Sequence, residues 1–181
     1  MKHFYNEIQN WFDYQDFFRN VVANAKDCQK FVEIGVWKGG STAFMGVEIF
    51  NSGKNISYDA IDSFEGSVEH GDVKDWLYLE ASKKLKPLTD VGVVNLIRGY
   101  SLDLVNNYED ESIDFCFIDG SHEYEDVKKD IEAWLPKVKK GGILSGHDYD
   151  PSWLGVIKAV DELLGKENIK IYKSVYSYEK S

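Results

Sequence analysis

The sequence contains little of several features that mark other classes of protein. It has only two cysteines, Cys28 and Cys116, and three prolines among 181 residues, so it supports neither a disulfide framework nor a metal site built on cysteines. The longest run without a charged residue, 39–47, spans nine residues, against about 18 for a membrane-spanning helix. The first residues contain no apolar signal-peptide segment. These absences predict a protein of a reducing compartment, the cytoplasm, that does not enter a membrane.

Positive charge is also scarce. The chain has 21 lysines and arginines against 31 aspartates and glutamates, a net charge of −10 with no basic cluster to offset it. Such a chain lacks the electrostatic footprint of a protein that binds nucleic acid or a membrane surface, and it suits a cationic small ligand better than a polyphosphate. With 43% apolar residues, it has enough hydrophobic material for one well-packed domain.

Helical and extended patterns alternate along the chain. Apolar residues at helical spacing predict helices at 18–25, from 41, at 77–88, 127–135 and 156–164. Apolar runs between them predict strands at 30–35, 56–62, 93–97, 113–119, 143–145, 169–172 and 175–178. This alternation predicts a doubly wound α/β sheet with helices on both faces. We therefore interpret 1–181 as one domain, with an N-terminal helical segment, 1–28, that packs on or over it.

The N-terminal segment carries the densest aromatic cluster of the chain. We interpret this cluster as a helix that packs on the sheet, or as a homodimer contact, rather than as a lid over substrate. Its members are Phe4, Tyr5, Trp11, Phe12, Tyr14, Phe17 and Phe18.

The turn after the first predicted strand, 33–41, points to a cofactor. Its glycines allow close approach of a ligand to the backbone, but their spacing, G-x-x-x-G-G, is not that of a dinucleotide site. Glu33 precedes the first glycine by two residues, and a carboxylate there repels a pyrophosphate but attracts an ammonium or a sulfonium. S-adenosylmethionine (SAM) has both cations and no phosphate. The interpretation makes five residues cofactor-binding: Glu33, Gly35, Val36, Gly39 and Ser41. The alternative is a plain strand-to-helix turn.

Asp62 ends the second predicted strand, with Ser63 beside it. An acidic residue at this place in a doubly wound sheet accepts hydrogen bonds from ribose hydroxyls. The alternative is an aspartate that only caps the turn.

The motifs FVEIGVWKGGST, AIDSFEG, RGYSLD and IDFCFIDGSHEYEDVKKDIEAWLPKVKKGGILSGHDY resemble those of the class I SAM-dependent methyltransferases. The branch is that of the small O-methyltransferases and the cephalosporin-hydroxylase-like and macrolide-sugar methyltransferase proteins. The resemblance implies a Rossmann-like, seven-stranded, mostly parallel sheet in the order 3-2-1-4-5-7-6, with the last strand antiparallel. It also implies that Glu33 and Gly35 hold the methionine end of SAM, Asp62 the ribose and Ser101 the adenine edge, in a site that includes Asp119.

Asp119 closes the most apolar strand, and His147 and Asp148 close its predicted neighbour. Because adjacent strands lie about 4.8 Å apart, these side chains can converge and bind Mg²⁺, Mn²⁺ or a similar divalent ion. In the resembling catechol-type enzymes a carboxylate after strand four and an acidic or amide pair after strand five bind Mg²⁺. His147 departs from that pattern, which leaves Mn²⁺ or Fe²⁺ open. Alternatively, Asp119 caps the next helix and His147–Asp148 only form a turn.

His122 stands where the catechol-type family has its catalytic lysine, and an imidazole can remove a hydroxyl proton near neutral pH. Asp119 and His147 are the other candidate bases; alternatively, His122 merely begins a helix. The sequence thus predicts O-methylation of a small-molecule hydroxyl, assisted by a divalent ion. The alternatives are a cofactor-binding protein without transferase activity and a metal-dependent hydroxylase-like enzyme. No residue identifies the acceptor.

Overall fold

A seven-stranded sheet forms the centre of the molecule in the computed structural model, which describes residues 1–66 and 74–181. The strands are β1 (Lys30–Ile34), β2 (Ser57–Asp62), β3 (Val94–Arg98), β4 (Ile113–Ile118), β5 (Val138–Gly146), β6 (Ile169–Tyr172) and β7 (Val175–Glu179). Their order is β3-β2-β1-β4-β5-β7-β6; the first five are parallel, and β7 is antiparallel to both of its neighbours. The predicted strand order and orientation are confirmed.

Helices cover both faces of this sheet. They are α1 (Gln15–Asn24), α2 (Gly40–Ser52), α3 (Lys74–Thr89), α4 (Ser101–Leu104), α5 (Tyr124–Trp134) and α6 (Leu154–Leu164). Buried residues of α1, α2 and α3 form one hydrophobic cluster with one face of the sheet, and those of α5 and α6 form a second cluster with the other face. Central strands covered on both sides become apolar nearly throughout, and β4 follows this rule with Phe115, Phe117 and Cys116 all buried.

One strand differs from its predicted bounds by more than one residue at an end. β5 begins at Val138 rather than at 143, so Gly141 and Gly142 lie inside the strand. The register between β4 and β5 shifts between Ile113 and Phe115. Glycines accommodate such an irregularity, which is why the strand continues through these two residues.

The N-terminal segment packs on the domain along its length. Phe18 is buried in α1, with its ring 4.8 Å from that of Phe117 on β4. Asn10 lies against the start of α2 so closely that a Cβ atom on Gly40 would be 2.4 Å from the Cβ of Asn10. Among the described residues, no helix is both long and apolar enough to cross a membrane.

Candidate active site

A cavity of about 1020 Å³ opens where β1, β2, β4 and β5 end. This is the edge at which doubly wound sheets bind their ligands. The predicted site residues that line it are Gly35, Val36, Ser41, Asp62, Ser63, Ser101, Asp119, His122, His147 and Asp148. The N-terminal segment contributes Trp11, Phe12 and Tyr14 to the same wall, so part of the aromatic cluster faces the site as well as the core.

Gly35 brings the ends of β1 and β4 into contact. Its φ is +93°, and a Cβ atom there would lie 2.0 Å from the backbone oxygen of Asp119. Only glycine fits this backbone conformation and this space. Gly39 has φ +91° at the start of α2 and packs on Leu85. Among the described residues, Gly39 and Glu33 are the predicted cofactor-binding residues that do not line the cavity.

Glu33 lies behind the turn instead. Side chains alternate along a strand, and Glu33 points to the face covered by α2, where it is fully buried. Its carboxylate accepts hydrogen bonds from Ser41 (2.6 Å), Thr42 (2.5 Å) and Tyr58 (2.5 Å). Burial raises the pKa of Glu33 to about 7, against the lowering effect of the three hydroxyl donors. The carboxylate thus ties β1 and β2 to the start of α2.

Asp62 organises the first turn from the adjacent strand. One oxygen, Oδ2, accepts the backbone N–H groups of Val36 (2.7 Å) and Trp37 (2.8 Å), and the other accepts that of Phe64 (2.6 Å). A carboxylate has about four acceptor positions, and these bonds occupy three. The capping role considered for Asp62 is therefore present, in a carboxylate that also lines the cavity.

Asp130 is a site residue that the sequence interpretation missed. It lies on the buried side of α5, 8% exposed, and accepts a hydrogen bond from the Ser101 hydroxyl at the cavity wall. Burial raises the pKa of Asp130 to about 6, against the lowering effect of the Ser101 hydroxyl. The sequence does contain a signal for Asp130: it is a carboxylate between Val127 and Trp134, on a helix face that is otherwise apolar.

Asp119, His147 and Asp148 converge as predicted. His147 Nδ1 lies 3.2 Å from Asp148 Oδ1 and 3.7 Å from Asp119 Oδ1, and the three residues offer ligand atoms that all lie within 4.8 Å of one another. His147 Nε2 contacts the Ser174 hydroxyl at 2.9 Å. Burial lowers the pKa of His147, but the two carboxylates outweigh burial and raise the pKa to about 10.

The turn considered for His147 and Asp148 is present, since the backbone oxygen of Asp148 accepts the N–H of Asp150 at 2.8 Å, and the residues of the cluster also line the cavity. Asp119 accepts a hydrogen bond from the Tyr14 hydroxyl at 2.8 Å. In the segment before α5 it is Ser121 whose hydroxyl oxygen accepts a backbone N–H, that of Glu123. The turn before the next helix is stabilised by Asp150, which accepts the N–H of Ser152. Asp148 itself adopts φ +61°, a conformation uncommon outside glycine that is often found at functional sites.

His122 joins the same group of side chains. Its Nε2 lies 2.9 Å from Asp148 Oδ2, and its ring stacks on Trp153 with the centroids 3.7 Å apart. All three residues line the cavity. The structure therefore brings the predicted base and the predicted metal ligands to one wall of one cavity.

Residues 32–149 match the model of a protein family described as a methyltransferase domain. The chain belongs to this methyltransferase family. The match includes the first turn, Asp62 and the cluster of Asp119, His147 and Asp148. The predicted membership of the class I SAM-dependent methyltransferases is confirmed.

Solved structures share the fold of this methyltransferase. The O-methyltransferase NovP is 21% identical with a TM-score of 0.72, over 92% of this chain and 79% of that one. CalS11, a TDP-rhamnose 3′-O-methyltransferase of calicheamicin biosynthesis, is 18% identical with a TM-score of 0.60, over 91% of this chain and 76% of that one.

A relative is also found by sequence. Protein y4gI of Sinorhizobium fredii (strain NBRC 101917 / NGR234), described as uncharacterized, is 25% identical over 146 residues, 81% of this chain. The chain spans only 16% of the length of y4gI.

Proposed function

We propose that the chain transfers the methyl group of SAM to a hydroxyl oxygen of a small molecule. The observation that carries this proposal is the continuity of the cavity, which joins the first turn at Gly35 to the cluster around Asp119 and His122. SAM, when bound, supplies an electrophilic methyl group on a sulfonium. The residues of the chain need only bind the two reactants, align them and accept a proton, and positioning alone contributes much of the rate of such reactions.

The cofactor end of the cavity, in this proposal, lies along the ends of β1 and β2. Gly35 and Val36 present backbone to the methionine end, with Ser41 beside them. Asp62 and Ser63 face the ribose. Glu33 acts from behind the turn: it holds the start of α2 through the hydroxyls of Ser41 and Thr42, and it holds β2 through that of Tyr58. The predicted direct contact of Glu33 with the cofactor is thereby replaced by a supporting role.

The adenine end lies by Ser101 and Asp130. The Ser101 hydroxyl donates to Asp130, so its oxygen presents a lone pair to the cavity. We assign both residues to the adenine edge.

A divalent cation fits the donor set of Asp119, His147 and Asp148. Two carboxylates and one imidazole suit Mg²⁺ or Mn²⁺, and the single nitrogen leaves Fe²⁺ open. Such an ion, when bound, stabilises negative charge that develops on an acceptor oxygen. With His147 Nδ1 facing the carboxylates, Nε2–H donates to Ser174, which fixes the orientation of the ring. Because the pKa of His147 is raised to about 10, the cation and a proton compete for this nitrogen.

His122 is the base in this proposal. With a cation on Nδ1 and the Nε2–H donated to Ser174, His147 has no nitrogen left to accept a proton. Asp119 already accepts a hydrogen bond from the Tyr14 hydroxyl, so one of its oxygens is occupied. The His122 ring lines the cavity, and its contact with Asp148 at 2.9 Å holds it within the cluster, which is the positioning that a general base needs.

We further propose that the chain acts in a reducing, cytoplasmic setting on small molecules and not on nucleic acid. Both cysteines are free thiols, with Cys28 exposed and Cys116 buried, which supports a reducing compartment. None of the described residues that line the cavity is a lysine or an arginine, the residues that neutralise a phosphate backbone. The predicted homodimer stays a prediction, which sedimentation analysis would test.

Methyl transfer from labelled SAM to a panel of sugars, phenols and polyols tests the proposal. We expect the label to appear in an O-methylated product, and we expect the formation of this product to require a divalent ion. Activity fully retained in a chelator would remove the metal from the proposal. Binding of SAM without transfer to any acceptor favours the alternative of a cofactor-binding protein, and product formation that requires oxygen and a 2-oxoacid favours the hydroxylase-like alternative.

A further inference from the structure

Tyr14 links the N-terminal segment to the predicted metal cluster. Its hydroxyl donates a hydrogen bond of 2.8 Å to Asp119 Oδ2, across 105 residues of sequence. The other carboxylate oxygen, Oδ1, lies 3.7 Å from His147 Nδ1. The two oxygens of Asp119 therefore have different partners: Tyr14 donates to Oδ2, and Oδ1 lies near His147 Nδ1.

The ring of Tyr14 is tightly held. It is 3% exposed, and it makes edge contacts with Phe12 at 4.6 Å and Phe18 at 5.0 Å. Phe117 of β4 lies 5.2 Å away and His147 lies 4.7 Å away, both tilted against the ring. A side chain packed among four rings has little rotational freedom, so the position of its hydroxyl is fixed before any ligand binds.

The backbone that delivers Tyr14 is fixed as well. The Asn10 amide donates to the backbone oxygens of Tyr5 and Ile8 and accepts the N–H of Phe12. Asn10 also rests directly on Gly40, where a Cβ atom would not fit. The stretch 10–14 is therefore a built part of the site wall.

We propose that Tyr14 is a positioning residue for Asp119, which holds Oδ2 so that Oδ1 faces His147 Nδ1 and a bound divalent cation. The inference rests on the metal part of the proposed function. It assigns to the N-terminal segment a role in completing the metal site. A hydrogen-bonding partner of a metal ligand orients that ligand, and its removal typically weakens metal binding about 10–100-fold.

The test is the affinity of the full chain for Mn²⁺, measured from the six-line EPR signal of the free ion, with and without S-adenosylhomocysteine. Tyr14→Phe removes one oxygen and keeps the ring contacts, and we expect it to weaken Mn²⁺ binding by about tenfold or more. Tyr108→Phe is the matched control, because Tyr108 is also a buried tyrosine that donates to a buried carboxylate, Asp59, at 2.9 Å. It does not line the cavity, and we expect it to bind Mn²⁺ within twofold of the wild type.

A double variant separates positioning from a general loss of structure. If Tyr14 acts through Asp119, then Tyr14→Phe weakens Mn²⁺ binding in the wild type but adds no further loss in an Asp119→Asn background. An equal loss in both backgrounds overturns the proposal, as does a Tyr14→Phe chain that binds Mn²⁺ within threefold of the wild type. Those outcomes leave the metal part of the proposed function standing. A wild type that binds no Mn²⁺ overturns both.

Discussion

His122 Nε2 lies 2.9 Å from Asp148 Oδ2, so the proposed base and a proposed metal ligand form one hydrogen-bonded pair. His122 belongs to the turn after β4, whereas Asp148 follows β5. The parallel pairing of these two strands brings the pair together. In the proposed function, Asp148 therefore positions the base and also offers an oxygen to a cation.

We expect His122→Ala to lower kcat of methyl transfer by about 100-fold or more, the usual contribution of a positioned base. The KM for SAM should change little, because the proposed cofactor contacts do not include His122. Steady-state kinetics with both substrates varied measures this split. His3→Ala is the control, since His3 contacts Glu48 and neither residue lines the cavity. Unchanged kcat in His122→Ala would remove the base assignment.

Asp62→Ala should weaken the binding of S-adenosylhomocysteine at least about tenfold, or about 1.4 kcal/mol. The substitution removes the acceptor of three backbone N–H groups in the first turn and its neighbour. Isothermal titration measures the loss. Asp90→Ala is the comparison, because Asp90 is an aspartate that pairs with Lys86 on the surface. Equal affinities of the two variants would contradict the account of Asp62.

Gly35→Ala should destabilise the fold by several kcal/mol, because its Cβ atom would lie 2.0 Å from the backbone oxygen of Asp119. Gly53→Ala isolates the backbone contribution: its φ is +69°, and its Cβ atom would meet nothing within 4 Å. That variant should lose only about 1–2 kcal/mol. Urea unfolding of both chains measures the difference. Similar losses of unfolding free energy in the two variants would show that the close approach of β1 and β4 does not make Gly35→Ala more destabilising.

Glu33 makes the free energy of unfolding depend on pH. Its pKa is raised from 4.5 to about 7 in the folded chain, so the folded state keeps a proton that the unfolded state has lost. The contribution of Glu33 is therefore full below about pH 4.5 and falls as the pH rises towards 7, by up to about 3 kcal/mol. Glu33→Gln should flatten this part of the profile, whereas Glu109→Gln, at an exposed site, should leave it unchanged. Parallel profiles for wild type and Glu33→Gln would disprove the assignment.

Much of the site follows from strand ends, which is why the sequence could locate it. Once 30–35 and 113–119 are interpreted as adjacent parallel strands, Gly35 and Asp119 must meet at one edge of the sheet. The pairing of β4 with β5 then brings His147 to Asp119. The ends of the strands are visible in the alternating apolar pattern, and the order of the strands in the sheet is what the resemblance to the class I methyltransferases implied.

Other parts of the site depend on contacts that no local pattern records. Tyr14 reaches Asp119 across 105 residues, and nothing in its own helix-like surroundings marks it as different from Phe12 or Phe18. Glu33 was expected at the cofactor because it precedes Gly35, but strand alternation turns it towards α2. Asp130 could have been found from its place on an apolar helix face.

The central claim is that the cavity binds SAM, and isothermal titration of the intact chain with S-adenosylhomocysteine tests it most directly. The account predicts saturable binding of one ligand per chain, weakened at least about tenfold by Asp62→Ala. Undetectable binding at millimolar ligand would contradict it.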